Sequence, residues 1–375
     1  MTYDWDELRG LSLARQFPTV AGREPDTLLH TVAEVVRLIG PIQSQTARSP
    51  YVALGARLPG VTHASVTAAY ESLAIVRGST IRGTVHTSTA DHHALLEATT
   101  RTTQRSVWRR QLHLDDSEVE ELWCATERFA ADVWRSPEEL SDHLRSWLDE
   151  RDEETPEAID RGLGRYLGFG HGGLLRRPLK GAWSGQGAPG YRTASALLPD
   201  RVVPDDPLLE AVRLHVTAYG PVSRRDVAWW SGLGLRQVDA LLERLELVRN
   251  EGPGGATYVD VAGAPPPREV AGVRLLPEFD ALLCGYDPKA RDRFVAPVDH
   301  QLLWHRNNGY MLAPVLVDGR VGGYWRIEGT GRDRSLAVSS FAGSRKPRKA
   351  ELDEPVTALS AALDVPFTSM TVTRL

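Results

Sequence analysis

Gln43 and Gln45 stand one serine apart in the stretch GPIQSQTARSPY, residues 40–51, between two segments that read as helices. A carboxamide carries an acceptor oxygen and two N–H donors and takes up no proton at neutral pH. Two of them side by side can hold a water molecule and donate to a sugar or phosphate oxygen, but they cannot serve as a general base. Such a pair suffices for hydrolysis only where the bond is already primed to break and the leaving group departs without a general acid. The protein then has to place the water and stabilise developing positive charge. Taken alone, Gln-Ser-Gln reads more readily as a polar turn whose amides bond the backbone, so the surrounding chain decides.

Other reactive groups are sparse. The sequence has no Walker loop, dinucleotide fingerprint, nucleophile elbow or metal-binding histidine pair. His92 and His93 are adjacent and do not share a helix face, so a surface or capping role is expected and no metal site. Glu278 and Asp280 in LLPEFD could pair as acid and base, but they are equally suited to bonding backbone at a domain edge, and the structural role is expected. The lysines are Lys180, Lys289, Lys346 and Lys349, which leaves few amine nucleophiles for a Schiff base. Trp183, Trp229, Trp230, Trp304 and Trp325 could stack on bases, although most buried tryptophans belong to cores.

The elements around the glutamines follow a recurring plan. Residues 5–17 and 28–39 carry apolar residues at helical spacing, Ser49 and Pro50 suit the start of a third helix, and Thr62 that of a fourth. Strands are expected over 74–77 and 81–87, turning at Gly78-Ser79, which makes helices followed by a two-stranded ribbon: a winged helix. A clear second instance covers 207–261, with a wing around Gly252-Pro253-Gly254-Gly255, and a fainter one lies between, with helices over 117–134, 137–150 and 156–167 and strands near 174–179 and 191–197. Residues 91–112 read as a connector helix with Arg101, Arg105 and Arg109 along one face. After Ala264-Pro265-Pro266-Pro267 come short strands, an Asp318-Gly319 hairpin turn and a closing helix over 352–363. The expected fold class is α+β: three tandem winged helices (1–112, 113–200 and 201–264) and a small mixed β domain over 265–375, packed against the third of them.

The bulk numbers suit a multidomain globular protein. Its 375 residues are 42% hydrophobic and 25% charged, with no apolar run of membrane-spanning length. The first residues, MTYDWDEL, are acidic and lack an apolar core, so no export signal is expected. Cys124 and Cys284 lie far apart, which fits a reducing cytoplasm better than a disulfide framework. A net charge of −5 would repel phosphate on average. Acidic residues concentrate in 115–121 and 149–157, and basic ones in Arg101/Arg105/Arg109/Arg110, Arg176/Arg177/Lys180, Arg224/Arg225 and Arg345/Lys346/Arg348/Lys349, so separate acidic and basic surfaces are expected.

Five stretches in order, IQSQTARSPYVALGARLPG, IRGTVHTSTADHHALL, YGPVSRRDVAWWSGLG, LLPEFDALLCGY and NNGYMLAPVLVDGRVGGYWR, resemble the bacterial winged-helix DNA glycosylases of the AlkZ type over nearly the whole chain. The resemblance implies three tandem winged helices around a basic channel and a catalytic signature of glutamine, aliphatic residue, glutamine. Gln43 and Gln45 fall on the two glutamines, and Ser44 replaces the aliphatic residue. A sister branch of the YcaQ type has aspartate at the second position, where this chain keeps Gln45. The resemblance further implies removal of bulky alkylated purines, interstrand crosslinks included, often as self-protection against a genotoxic natural product.

Chemistry agrees with that implication. An N7-alkylguanine or N3-alkyladenine is cationic and leaves neutral, and water positioning is typically worth about 10²–10⁴ in rate. A crosslinked base cannot swing into a closed pocket, so an open site is expected. The expectation is a monomeric, monofunctional enzyme without cofactor or metal, acting on double-stranded DNA that carries alkylated purines, with no membrane partner. Arg48, Arg77 and Arg82 are expected on phosphates, Arg105 and Arg109 among the DNA-binding residues, and the Asp318-Gly319-Arg320 hairpin or the Gly252–Gly255 wing in a groove. The rival is a winged-helix regulator or lesion-binding protein that performs no chemistry.

Overall fold

The computed structural model describes residues 2–20, 28–151, 167, 169–304, 309–331 and 333–375. The first segments are helices α1 (Trp5–Gln16), α2 (Leu28–Ile39), α3 (Ser49–Arg57) and α4 (His63–Glu71). Asp4 starts α1 through a capping box, its carboxylate accepting from the Asp6 and Glu7 N–H groups at 2.8 Å. Thr62 does the same for α4 with Ser65. Arg48, not Ser49, occupies the position before α3; its side chain makes no cap bond, and the Ser49 hydroxyl is buried without a partner.

Strands β2 (Ile75–Thr80) and β3 (Thr84–Thr89) form the hairpin expected after α4, but the turn falls at Arg82-Gly83, where φ is 57° and 72°. Gly78 lies within the strand instead. A Cβ there would come within 3.1 Å of both His93 Nε2 and the Leu174 carbonyl, so this glycine serves close packing and not a turn. The two-residue strand β1 (Ile42–Gln43) adds to the edge of β3.

The connector α5 (Ala90–Leu112) leads to α6 (Asp116–Phe129) and α7 (Pro137–Asp149), then β4 (Leu174–Pro178) and β5 (Pro189–Thr193). The helix expected over 156–167 lies outside the described residues apart from Leu167. Strand β4 bonds β2, giving one five-stranded sheet in the order β1-β3-β2-β4-β5, so the first two ribbons are fused into a single sheet. The expected separation of acidic and basic surfaces does not hold here. The arginine face of α5 packs on the acidic start of α6, with Arg105 on Glu120 at 2.5 Å and Arg109 on Asp116 at 3.5 Å.

Helices α8 (Pro207–Tyr219), α9 (Arg224–Ser231) and α10 (Leu235–Glu243) precede the hairpin β7 (Leu247–Gly252) and β8 (Ala256–Val261), with the short strand β6 (Val222–Ser223) beside β8. Sequence spacing marks these elements well because Ser223 caps α9 and Gly232, at φ 79°, closes it.

The C-terminal sheet runs β13-β12-β11-β10-β9, from β9 (Val273–Leu275), β10 (Ala313–Val317), β11 (Arg320–Thr330), β12 (Asp333–Ser340) and the unanticipated parallel strand β13 (Ser369–Arg374). Helix α11 (Asp353–Leu363) packs on α3, where Ala362 comes so close to Gly55 that a Cβ on the glycine would meet it at 2.9 Å. Two large cores result, and neither follows the expected boundaries. One joins Val32, Val35, Leu54 and Tyr70 to Val315, Trp325 and Leu359; the other joins Leu13 and Phe17 to Val216, Trp230, Leu283 and Phe341. The C-terminal sheet is thus buried against the first helices as well as against α8 and its neighbours.

Candidate active site

The glutamines sit on the sheet edge, where β1 runs antiparallel to β3 with Gln43 opposite His86 and Ile42 opposite Thr87. Side chains alternate along a strand and opposed residues share a face. Ile42 and Ser44 therefore point inward, at 6% and 2% exposure, whereas Gln43 is half-buried and Gln45 exposed. The Ser44 N–H donates to the Val85 carbonyl at 2.7 Å and continues the ladder, and the Val85 N–H donates to Gln45 Oε1 at 3.4 Å. No described residue hydrogen-bonds the Gln43 amide. The strand edge thus presents two carboxamides on one side and anchors itself with the serine on the other.

A chain of polar groups holds that anchor. The Ser44 hydroxyl bonds the Ile42 carbonyl at 2.9 Å and the Thr87 hydroxyl at 2.7 Å, which is in turn 2.5 Å from the Tyr70 hydroxyl. Arg77 donates to Tyr70 at 3.0 Å, to the Ala47 carbonyl at 3.1 Å and to the Trp183 carbonyl at 3.1 Å. Trp183, from the turn between β4 and β5, stacks on Tyr70 at 4.5 Å. Arg77, at 4% exposure, is therefore spent on fixing the glutamine loop and is not presented to phosphate. Neither Tyr70 nor Thr87 carries a sequence signal for this role; Ser44, Arg77 and Trp183 are visible in the sequence, but there Arg77 reads as a phosphate contact and Trp183 as a stacking candidate.

The two ends of the loop are fixed by the rest of the molecule. Tyr219 donates to the Pro41 carbonyl at 3.3 Å, and Gly40, at φ 78°, packs so close to the Tyr219 ring that a Cβ would lie 3.0 Å from it. At the other end Arg48 pairs with the buried carboxylate of Glu278, lies over the Trp325 ring at 5.6 Å, and shares Glu278 with the Tyr310 hydroxyl at 3.3 Å. Glu278 Oε2 and Arg48 Nε remain buried without partners. Asp280 takes the structural role, accepting from Arg57 at 2.9 Å and from the Leu282 N–H at 3.0 Å.

The remaining expected contacts are dispersed. Arg82 tips the β2–β3 hairpin and donates to the Trp229 and Trp230 carbonyls at 2.9 and 2.8 Å. Arg105 and Arg109 serve the α5–α6 contact. Asp318 accepts from the Gly272 N–H and from Arg345, each at 2.8 Å, Gly319 packs on Leu13, and Arg320 pairs with Asp6 at 2.6 Å, so this hairpin is folded back onto α1. At the other hairpin tip, a Cβ on Gly254 or Gly255 would meet nothing within 4 Å.

The imidazole that shares the strand face of Gln43 is held in its neutral form. Burial, reinforced by the Arg82 cation, drives His86 down to about 3, so the imidazole opposite Gln43 stays neutral and very weakly basic. Among the described residues no group of three or more His, Cys, Asp or Glu is placed to hold a metal ion, and no described helix is long and apolar enough to cross a membrane. The arrangement can orient water and donate hydrogen bonds, which is chemistry without proton transfer to the protein.

Comparison with known proteins matches residues 36–362 to the family of AlkZ-like DNA glycosylases. A curated relative from Streptomyces sahachiroi, named an interstrand DNA cross-link repair glycosylase, is 25% identical across 93% of this chain and 94% of its own. The solved structure of the DNA glycosylase AlkZ from Streptomyces sahachiroi superposes with a TM-score of 0.78 over the full length of both chains at 18% identity, which establishes a common fold.

Proposed function

The chain belongs to the AlkZ-like DNA glycosylase family, and from that premise we propose that it hydrolyses the N-glycosidic bond of cationic alkylated purines in double-stranded DNA. N7-alkylguanine and N3-alkyladenine are the substrates, with bulky adducts and interstrand crosslinks among them, as the name of the Streptomyces sahachiroi relative suggests. Gln43 and Gln45 hold the attacking water and steady the sugar as it gains oxocarbenium character; the C1′–N bond breaks with its electron pair going to the base, which leaves as a neutral molecule, and the proton shed by the water as it bonds C1′ passes to solvent. The enzyme acts as a monomer, without metal and without a covalent intermediate on the protein.

The observation that carries this reading is the outward presentation of two carboxamides on an anchored strand edge, with Gln45 exposed and Ser44 locked beneath them. An edge leaves room for a base that is still tethered to the opposite strand, where a closed pocket would not. The test is incubation with duplexes bearing defined N7-alkylguanines, small and bulky, and with an N7-linked interstrand crosslink, followed by assay of free base and abasic sites. Release of modified base in the presence of EDTA supports the proposal. Tight binding with every lesion intact after long incubation would favour the non-catalytic lesion binder.

A further inference from the structure

Arg82 and Arg291 are brought together beside one exposed indole, and no carboxylate pairs with either among the described residues. Arg82, at the tip of the β2–β3 hairpin, lies over Trp229 at 5.8 Å from the ring centroid, and Arg291 lies over the same ring at 5.4 Å. Arg291 is 4% exposed; it donates to His300 Nε2 at 3.1 Å and packs on Trp304 at 4.5 Å, and its Nε–H is buried with no acceptor. Arg82 uses one terminal nitrogen for both the Trp229 and Trp230 carbonyls, leaving its Nε–H and second amino group unspent. Burial lowers both guanidinium pKa values below the ordinary range, and the proximity of Arg82 lowers that of Arg291 further. Two cations that cost free energy to desolvate thus share one ring without an anion, Arg82 partly exposed and Arg291 buried.

Trp229 is 39% exposed, whereas its neighbour Trp230 is 3% exposed and belongs to the core. A partly exposed indole beside two cations offers apolar surface next to positive charge, the combination that a sugar-phosphate backbone can use. The place also adjoins the glutamines: Arg82 is followed three residues later by Val85, whose N–H meets Gln45. Resting on the reading of the chain as a DNA glycosylase, we propose that Arg82 and Trp229, backed by Arg291, form a subsite that takes a backbone phosphate of duplex DNA on the guanidinium and packs its adjoining deoxyribose on the indole. The subsite bridges the hairpin tip, the end of α9 and the turn Pro288–Arg293, so a strand bound there is aligned along the edge that carries Gln45.

The test is binding of a fluorescent, undamaged duplex by the full chain across a salt series. Arg82→Gln is expected to weaken binding about tenfold at low salt and to flatten the log–log salt slope by about one, as loss of one phosphate contact requires, whereas Arg82→Lys keeps the wild-type slope. Trp229→Ala is expected to weaken binding about five- to a hundredfold with the slope unchanged. Wild-type slope in Arg82→Gln, wild-type affinity in Trp229→Ala, or equal losses in Arg82→Gln and Arg82→Lys would overturn the subsite. Base release is scored separately: a wild-type protein that binds duplex but frees no base sinks the glycosylase reading and leaves the subsite standing.

Discussion

The hydroxyl of Ser44 lies 2.7 Å from that of Thr87, beneath the strand edge that carries the two glutamines. This contact explains how a serine can occupy the position between them. Its side chain is 2% exposed, where a lone hydroxyl would be costly, but the Ile42 carbonyl and the Thr87–Tyr70–Arg77 chain satisfy it. Polar bonding does here what an aliphatic side chain would do by packing.

Ser44→Ala is accordingly expected to lower stability by about 0.5–1.5 kcal/mol, the net value of a satisfied buried hydrogen bond. Denaturant unfolding checks this, and a neutral substitution would show that the Thr87 contact contributes nothing. Because the outward residues stay in register, the alanine variant is also expected to keep most of its base-release activity.

Arg57 and Asp280 form a pair 2.9 Å apart with both side chains 1% exposed. Arg57 also donates to the Gln16 carbonyl at 2.9 Å, so it joins α1, α3 and the C-terminal unit. Arg57→Ala leaves Asp280 charged and buried, and a loss on the order of 3–5 kcal/mol is expected. A loss under about 1 kcal/mol in urea unfolding would contradict this.

Arg48 and Glu278 connect the glutamine loop to the C-terminal unit. Glu278→Gln keeps the shape and removes the charge that holds Arg48 over Trp325. The expected outcome is a fall in the single-turnover rate of base release on the order of tenfold with little change in duplex affinity, since the pair orients the loop and does not bind DNA. A variant weakened in binding at unchanged rate would place Arg48 on phosphate after all.

His93 is buried with neither ring nitrogen bonded, and burial depresses its pKa to about 4. A folded-state value below the unfolded one means that its contribution is fully present above about pH 6.5 and is lost as pH falls toward 4, where the unfolded chain binds the proton first. Urea unfolding between pH 6.5 and 4.5 is therefore expected to show a slope in the wild type that is shallower in His93→Gln by up to about 1.4 kcal/mol per pH unit. Identical slopes would show that His93 does not titrate in that window.

Much of this architecture is legible from residue spacing. Ser223, Gly232 and the Gly252–Gly255 tip delimit the α8–β8 unit because capping and turn chemistry are local. Gly78 misleads for the converse reason: its requirement is set by His93 and Leu174, distant in sequence, so a turn reading displaces the hairpin by several residues. The arginines divide in the same way. Their number near the glutamines is visible, but the sequence does not tell that Arg77 is consumed by Ala47, Tyr70 and Trp183, or that Arg105 faces Glu120. Whether a cation is free depends on partners contributed by other segments.

The most direct measurement is the rate of N7-alkylguanine release from a duplex, under single-turnover conditions with EDTA, for the wild type, Gln43→Ala, Gln45→Ala and the double variant. Positioned carboxamides predict losses of about 10²–10⁴ in rate with duplex affinity retained, and a wild-type rate that is level between pH 6 and 8 because no protein group exchanges a proton. A double variant that releases the base at the wild-type rate would contradict the account.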